Sequence, residues 1–223
     1  MDELLPLSKR GQDWFGLGLT IIDSMDTLWL AGEREEYTRC LKWVEHELRV
    51  DINKNVNVFE TTIRVLGGLL SAYHLSGDNA LLRKATDLGS RLSSAFSSRS
   101  GVPYSDVNLS TRRTFNPGHG VLGLSSLAEA TTLQLEFSYL SRVSGDPSFA
   151  IKANQASESV EEGRQRLGWS GGPKGGLAPI YISPETGEFG GGDRGEGGRV
   201  TLGARGDSYY EYLLKQWMFS GKR

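Results

Sequence analysis

The sequence predicts an all-α fold in which helical hairpins stack side by side into an incomplete α/α barrel. Three observations predict it. Almost every periodic segment has helical spacing, apolar helices alternate with more polar ones, and a Ser-Gly-Asp joint recurs at 76–78 and 144–146. Hairpins of this kind cannot bury their apolar faces alone, so neighbours must stack. Three hairpins and one further helix are too few to close a ring. An open helical solenoid is the alternative that the same pattern allows.

The first helix is expected over Trp14–Ala31, apolar and stopped by Gly32. A charged amphipathic helix follows over Glu33–Leu48, with Tyr37, Leu41, Val44 and Leu48 along one side. Val58–Leu75 is strongly apolar and ends at Ser76-Gly77-Asp78, where glycine takes the left-handed position past one helix and aspartate caps the next. That next helix is Asn79–Phe96. The pattern then returns. Leu75 to Asp78, with Leu81, Lys84 and Ala85, matches Val143 to Asp146, with Phe149, Lys152 and Ala153, at an offset of 68. Upstream, Glu60 and Thr62 match Glu129 and Thr131 at an offset of 69. Asp207–Phe219 is the last helix, and Ser220-Gly221-Lys222 a further copy of the joint. Between Leu167 and Leu202 the helical pattern fails. Pro179–Ile182 reads there as a short strand and Gly190–Gly198 as a mobile stretch.

Composition removes several classes. With 223 residues, 38% hydrophobic and 23% charged, the chain reads as one globular domain. A net charge of -2 gives no electrostatic case for nucleic acid or an anionic membrane. The single cysteine, Cys40, rules out an internal disulfide. Met1-Asp2-Glu3 does not open a signal peptide, and Trp14–Ala31 carries Asp23 and Asp26 and is too polar to span a bilayer. Any membrane anchor of the intact protein is expected outside this chain.

Glu60, Glu129 and Asp207 each fall near the start of an apolar helix. Helices that curl round a common centre would gather these acids. A glycosidase needs one carboxylic acid to protonate the leaving oxygen and one carboxylate to activate water. First-turn acids are also ordinary helix caps, and both readings stand for each residue. Arg64, four residues after Glu60, fits either a sugar contact or an ion pair with that glutamate. Arg205 precedes the last helix and fits either hydroxyl recognition or loop anchoring. Asp23 and Asp26 resemble a metal-binding pair but lack a third clustered ligand. His46, His74 and His119 are scattered, which argues against zinc. Asn108-Leu109-Ser110 is a glycosylation sequon.

Longer motifs are more specific. Trp14 to Thr20 with Ile22 to Thr27, Phe59 to Tyr73, Pro103 to Asn108, Gln134 to Phe137 and Leu202 to Trp217 together resemble the class I α1,2-mannosidases, from Asp2 to about Gly221. The resemblance implies an (α/α)7 barrel, of which residues 1–223 would be the N-terminal part of a single glycosidase domain truncated at its C-terminal end. It implies calcium-dependent, inverting hydrolysis of terminal α1,2-linked mannose from high-mannose N-glycans in the endoplasmic reticulum or Golgi lumen. Glu60 then matches the general acid and Asp207 a second active-site carboxylate. Arg64, Glu129 and Arg205 match residues lining the sugar. No residue of this chain matches a direct calcium ligand, and the glutamate proposed as base is missing, so the chain alone is expected to be inactive. Two other readings remain: a non-catalytic mannose-binding relative acting in glycoprotein quality control, and a structural helical-repeat scaffold. The open flanks of the arc are expected to favour association.

Overall fold

The computed structural model describes residues 1–117, 123–168, 175–190 and 198–222. Strands β1 (Glu3–Leu5) and β2 (Arg10–Gln12) pair antiparallel ahead of α1 (Leu19–Ala31), which is followed by α2 (Arg34–His46). Strand β3 (Asn55–Asn57) runs straight into α3, residues 58–76. This helix is α-helical at Val58–Glu60, π-helical at Thr61–Leu66 and α-helical again at Gly67–Ser76. Helix α4 (Asn79–Leu92) finishes in a 3-10 turn at Ser93–Phe96 and leads to β4 (Asp106–Asn108) and β5 (Thr114–Phe115). Strand β6 (Ser125–Ser126) enters α5, residues 127–144, which is broken between Leu127–Thr131 and Gln134–Ser144. Then come α6 (Ser148–Arg166), β7 (Tyr181–Ile182) and α7 (Asp207–Phe219).

The predicted alternation is present. Helices α1, α3, α5 and α7 pack one on the next as an inner layer, while α2, α4 and α6 back them. Both Ser-Gly-Asp joints have the expected chemistry. Gly77 and Gly145 lie at φ 72° and 77°, and Asp78 and Asp146 each accept a backbone N–H two residues on, at 2.9 Å. Glycine also sets the seam between α1 and α3. A Cβ on Gly68 would lie 3.0 Å from both Cγ2 and the carbonyl oxygen of Ile22, so a larger residue would push the two helices apart.

Three expectations need correction. The first helix begins at Leu19, not Trp14. The backbone amides of Trp14, Gly16, Leu17 and Leu19 instead turn in on the buried Asp2 carboxylate, at 2.7, 2.5, 3.1 and 2.9 Å. Gly16 and Gly18 take positive φ to allow it, and the Trp43 ring leaves no room for a side chain at Gly18. The strand expected at Pro179–Ile182 is confined to Tyr181–Ile182. The helix expected at Asn79–Phe96 tightens into a 3-10 turn over its last four residues. Most of the stretch read as mobile, Gly190–Gly198, lies outside the described residues, as do Gly171, Gly172, Pro173 and His119.

Short sheets sit where the inner helices begin. β3 pairs with β4 and β4 with β5, while β6 pairs with β7, all antiparallel. The two inner helices that follow a strand start alike: Val58 N–H donates to the Ser105 carbonyl at 2.8 Å, and Leu127 N–H to that of Ile180 at 2.9 Å. The main core gathers Ile22, Met25, Leu66, Leu69, Leu88 and Phe137 between the layers. A second cluster of Val102, Leu127, Val160, Ile182 and Tyr209 lies under β6 and β7. Each such large side chain stabilises the fold by about 1.5–3 kcal/mol. On α7, Leu213, Leu214, Trp217, Met218 and Phe219 remain exposed, as expected for a flank of an open arc. Among the described residues no helix is long and apolar enough to cross a membrane.

Candidate active site

The first turns of α3 and α5 meet at Asn57. Its side-chain oxygen caps α3 by accepting the Glu60 N–H at 2.9 Å, and its amide nitrogen donates to Glu129 Oε2 at 3.4 Å. One residue therefore ties the two glutamates that the repeat places in register. The signal for it was present in the sequence, since Asn57 stands three residues before Glu60 in capping-box spacing.

Glu60 and Arg64 form the ion pair that their spacing allowed. Arg64 Nε donates to Glu60 Oε2 at 2.7 Å. The pair is partly exposed and contributes on the order of 0–1 kcal/mol to stability, so its stronger effect is to fix the carboxyl group. Glu60 Oε1 has no partner among the described residues. Glu129 differs. Burial pushes its carboxyl above the ordinary glutamate range, and the negative charge of Glu60 adds to this, while Asn57 and the Arg205 charge pull the other way.

Arg205 is brought to α5 by its backbone. Its carbonyl accepts the Ala128 N–H at 2.9 Å, within the first turn that carries Glu129. Arg205 itself sits at φ 72°, a left-handed conformation that a non-glycine residue adopts only when its surroundings impose it. Its guanidinium carbon lies 5.5 Å from the centre of the Tyr181 ring. Asp207 opens α7, as expected, but its carboxylate is exposed and, among the described residues, accepts only from its neighbour Ser208, at 2.8 Å to the backbone nitrogen. The structure thus brings Glu60, Arg64, Glu129 and Arg205 into one neighbourhood and leaves Asp207 at its edge.

Asp23 and Asp26 do not make a cation cage. Asp26 accepts from the Ser71 hydroxyl at 2.7 Å and from the Thr27 N–H at 2.6 Å, and Asp23 lies within the field of Arg64. Among the described residues no three His, Cys, Asp or Glu side chains gather as a metal site.

Sequence reasoning passed over Glu136 except as part of a motif. Its Oε1 accepts from the Tyr212 hydroxyl at 3.1 Å, and its Oε2 is shut off from solvent without a partner among the described residues. Burial pushes its carboxyl up to about 7, against the smaller opposing pull of its own backbone N–H, Tyr212 and Lys215. No local pattern announces this, because the hydroxyl that Glu136 accepts from stands on α7, 76 residues further along the chain.

Comparison with known proteins agrees with this architecture. The Glycosyl hydrolase family 47 profile matches residues 1–223. The chain is 49% identical over 222 residues to the human endoplasmic reticulum mannosyl-oligosaccharide 1,2-alpha-mannosidase, covering all of this chain and 30% of that protein. It is 44% identical over 220 residues to the Candida albicans mannosyl-oligosaccharide 1,2-alpha-mannosidase, covering 98% and 36%. The solved alpha-1,2-mannosidase from Trichoderma reesei superposes with a TM-score of 0.82 at 30% identity, over 98% of this chain and 45% of that one. The chain spans about a third of the length of these curated relatives. With a match along its whole length, and the helical layers of an α/α barrel beneath it, this chain belongs to glycosyl hydrolase family 47.

Proposed function

We propose that the intact protein is an inverting α1,2-mannosidase acting on high-mannose N-glycans, with this chain as the N-terminal part of its catalytic domain. The observation that supports this most is the pairing of Glu60 and Glu129 across Asn57, with an arginine beside each. Glu60 is the proposed general acid. Arg64 holds one carboxyl oxygen and leaves the other without a protein partner among the described residues, as a group that must reach a glycosidic oxygen requires. Arg64, Arg205 and Glu129 line the sugar, and Asp207 is the second carboxylate of the site. Calcium belongs to this proposal for the intact enzyme, with no ligand assigned in this chain. So does residence in the endoplasmic reticulum or Golgi lumen.

In the intact enzyme Glu60→Gln should lower turnover by roughly 10²–10⁴-fold while leaving oligosaccharide affinity nearly unchanged. An unaltered turnover would remove Glu60 from the reaction. The 223-residue chain alone is expected to release no mannose. A second reading, mannose binding without hydrolysis, draws on the exposed position of Asp207, and an intact protein that binds but never cleaves would establish it.

A further inference from the structure

The sequon Asn108-Leu109-Ser110, which the candidate active site leaves unused, straddles the end of β4 and the turn into β5. Its acceptor amide is fully engaged. Asn108 Oδ1 accepts from the backbone N–H groups of Ser110 and Thr111, at 3.2 and 2.9 Å. A backbone N–H can only donate, so these contacts fix which end of the amide is oxygen. The nitrogen donates to Asn53 Oδ1 at 3.0 Å and to Asn55 Oδ1 at 2.9 Å, which uses both of its hydrogens. The backbone of the motif is held as well. Asn108 N–H donates to the Arg113 carbonyl, and the Asn108 carbonyl accepts the Arg112 N–H, both at 2.8 Å. Leu109 N–H donates to the Lys54 carbonyl at 3.0 Å, and the Leu109 side chain is fully buried in the main core.

N-linked glycosylation joins an asparagine Nδ2 to C1 of an oligosaccharide carried on a lipid diphosphate. The C1–O bond breaks and its electron pair leaves on the diphosphate, while Nδ2 gives up one proton to a base of the transferring enzyme. One of the two hydrogens that reach Asn53 and Asn55 must therefore go, and a sugar ring must stand in its place. The transferase must also draw the motif into its own cleft. That requires Leu109 to leave the core and the bonds to Lys54, Arg112 and Arg113 to open. A chain whose β3, β4 and β5 are not yet paired meets none of these barriers.

We propose that Asn108 is a fold-gated modification site, an amide that accepts an N-linked oligosaccharide only while the β3–β4–β5 sheet is unformed. Encounter with such a donor rests on the luminal residence proposed above. The test does not, so either reading can fail alone. The full 223-residue chain, produced without modification, is incubated with an oligosaccharyltransferase and a lipid-diphosphate-linked oligosaccharide, beside the isolated peptide 100–112. Mass spectrometry should show the peptide modified at Asn108 at least about 10²-fold faster than the folded chain. Equal rates overturn the proposal. Asn53→Ala together with Asn55→Ala frees the Asn108 nitrogen without touching the sequon, and should speed transfer to the folded chain by about tenfold. No acceleration, with circular dichroism showing the fold retained, also overturns it. Should that pair of substitutions unfold the chain, the comparison of peptide with unaltered chain decides the matter.

Discussion

Helices α3 and α5 are copies of one another in sequence, yet they solve the same problem differently. From Glu60 to Leu75 there are 15 steps along the chain, and from Glu129 to Val143 there are 14. The extra residue of α3 is taken up in the π-helical stretch Thr61–Leu66, since an i→i+5 turn holds one residue more than an i→i+4 turn. Helix α5 has no such stretch and instead breaks after Thr131. The hydroxyls follow suit. Thr131 and Thr132 donate to the carbonyls four residues back, both at 2.6 Å, whereas the buried Thr61 and Thr62 hydroxyls have no partner among the described residues. A change of repeat offset from 69 to 68 is therefore a structural event at the turn beside Glu60.

The strongest way to break this comparison is to delete Ile63. That gives α3 the residue count of α5 and should replace the π turn by a regular α turn, narrowing the helix at Thr61–Leu66 and repacking the side chains beside Glu60. Hydrolysis by the intact enzyme should fall more than about 10²-fold with helical content retained. An active deletion variant would show that the π turn does not position Glu60.

Next in size is Glu136 on α5, whose side chain packs beside Gly67 of α3. Its folded-state value of about 7 lies above the 4.5 of an unburied glutamate. Between those values the folded chain keeps a proton that the unfolded chain has released. Its stabilising effect is thus full below about pH 4.5 and is lost as pH rises to about 7, ~3 kcal/mol in all. Denaturant melts at about pH 5 and about pH 8 should show this slope, and Glu136→Gln should flatten it.

The smallest effects separate the threonines. Thr62→Val should be neutral or stabilising by up to about 1 kcal/mol, because it removes an unpaired buried hydroxyl. Thr131→Val should cost about 1 kcal/mol, because it removes a made bond. Equal effects in thermal melts would erase the contrast between the two helices.

Much of this was legible in the sequence. Helical period and Ser-Gly-Asp punctuation are local signals, and they identified the hairpins and the glutamates that open α3 and α5. The Glu60–Arg64 pair was legible because i and i+4 are neighbours on any helix. What escaped was non-local. The surroundings of Glu136 come from Gly67 and Tyr212 on other helices, the tie from Arg205 to Ala128 from a long loop, and the start of α1 from a residue 17 positions earlier. The π turn lay between these cases, visible as a slipped offset but not interpretable without the backbone.

That early residue has a consequence of its own. Burial pushes the Asp2 carboxyl up, but its four backbone donors together outweigh it and hold the group below the ordinary 3.8. What Asp2 adds to the fold is present above the unfolded value and vanishes as acid protonates the folded form. The amides of Trp14, Gly16, Leu17 and Leu19 then form a natural reporter. In strong acid they should exchange their hydrogens with solvent ahead of the helical body, so that the N-terminal ribbon peels away first.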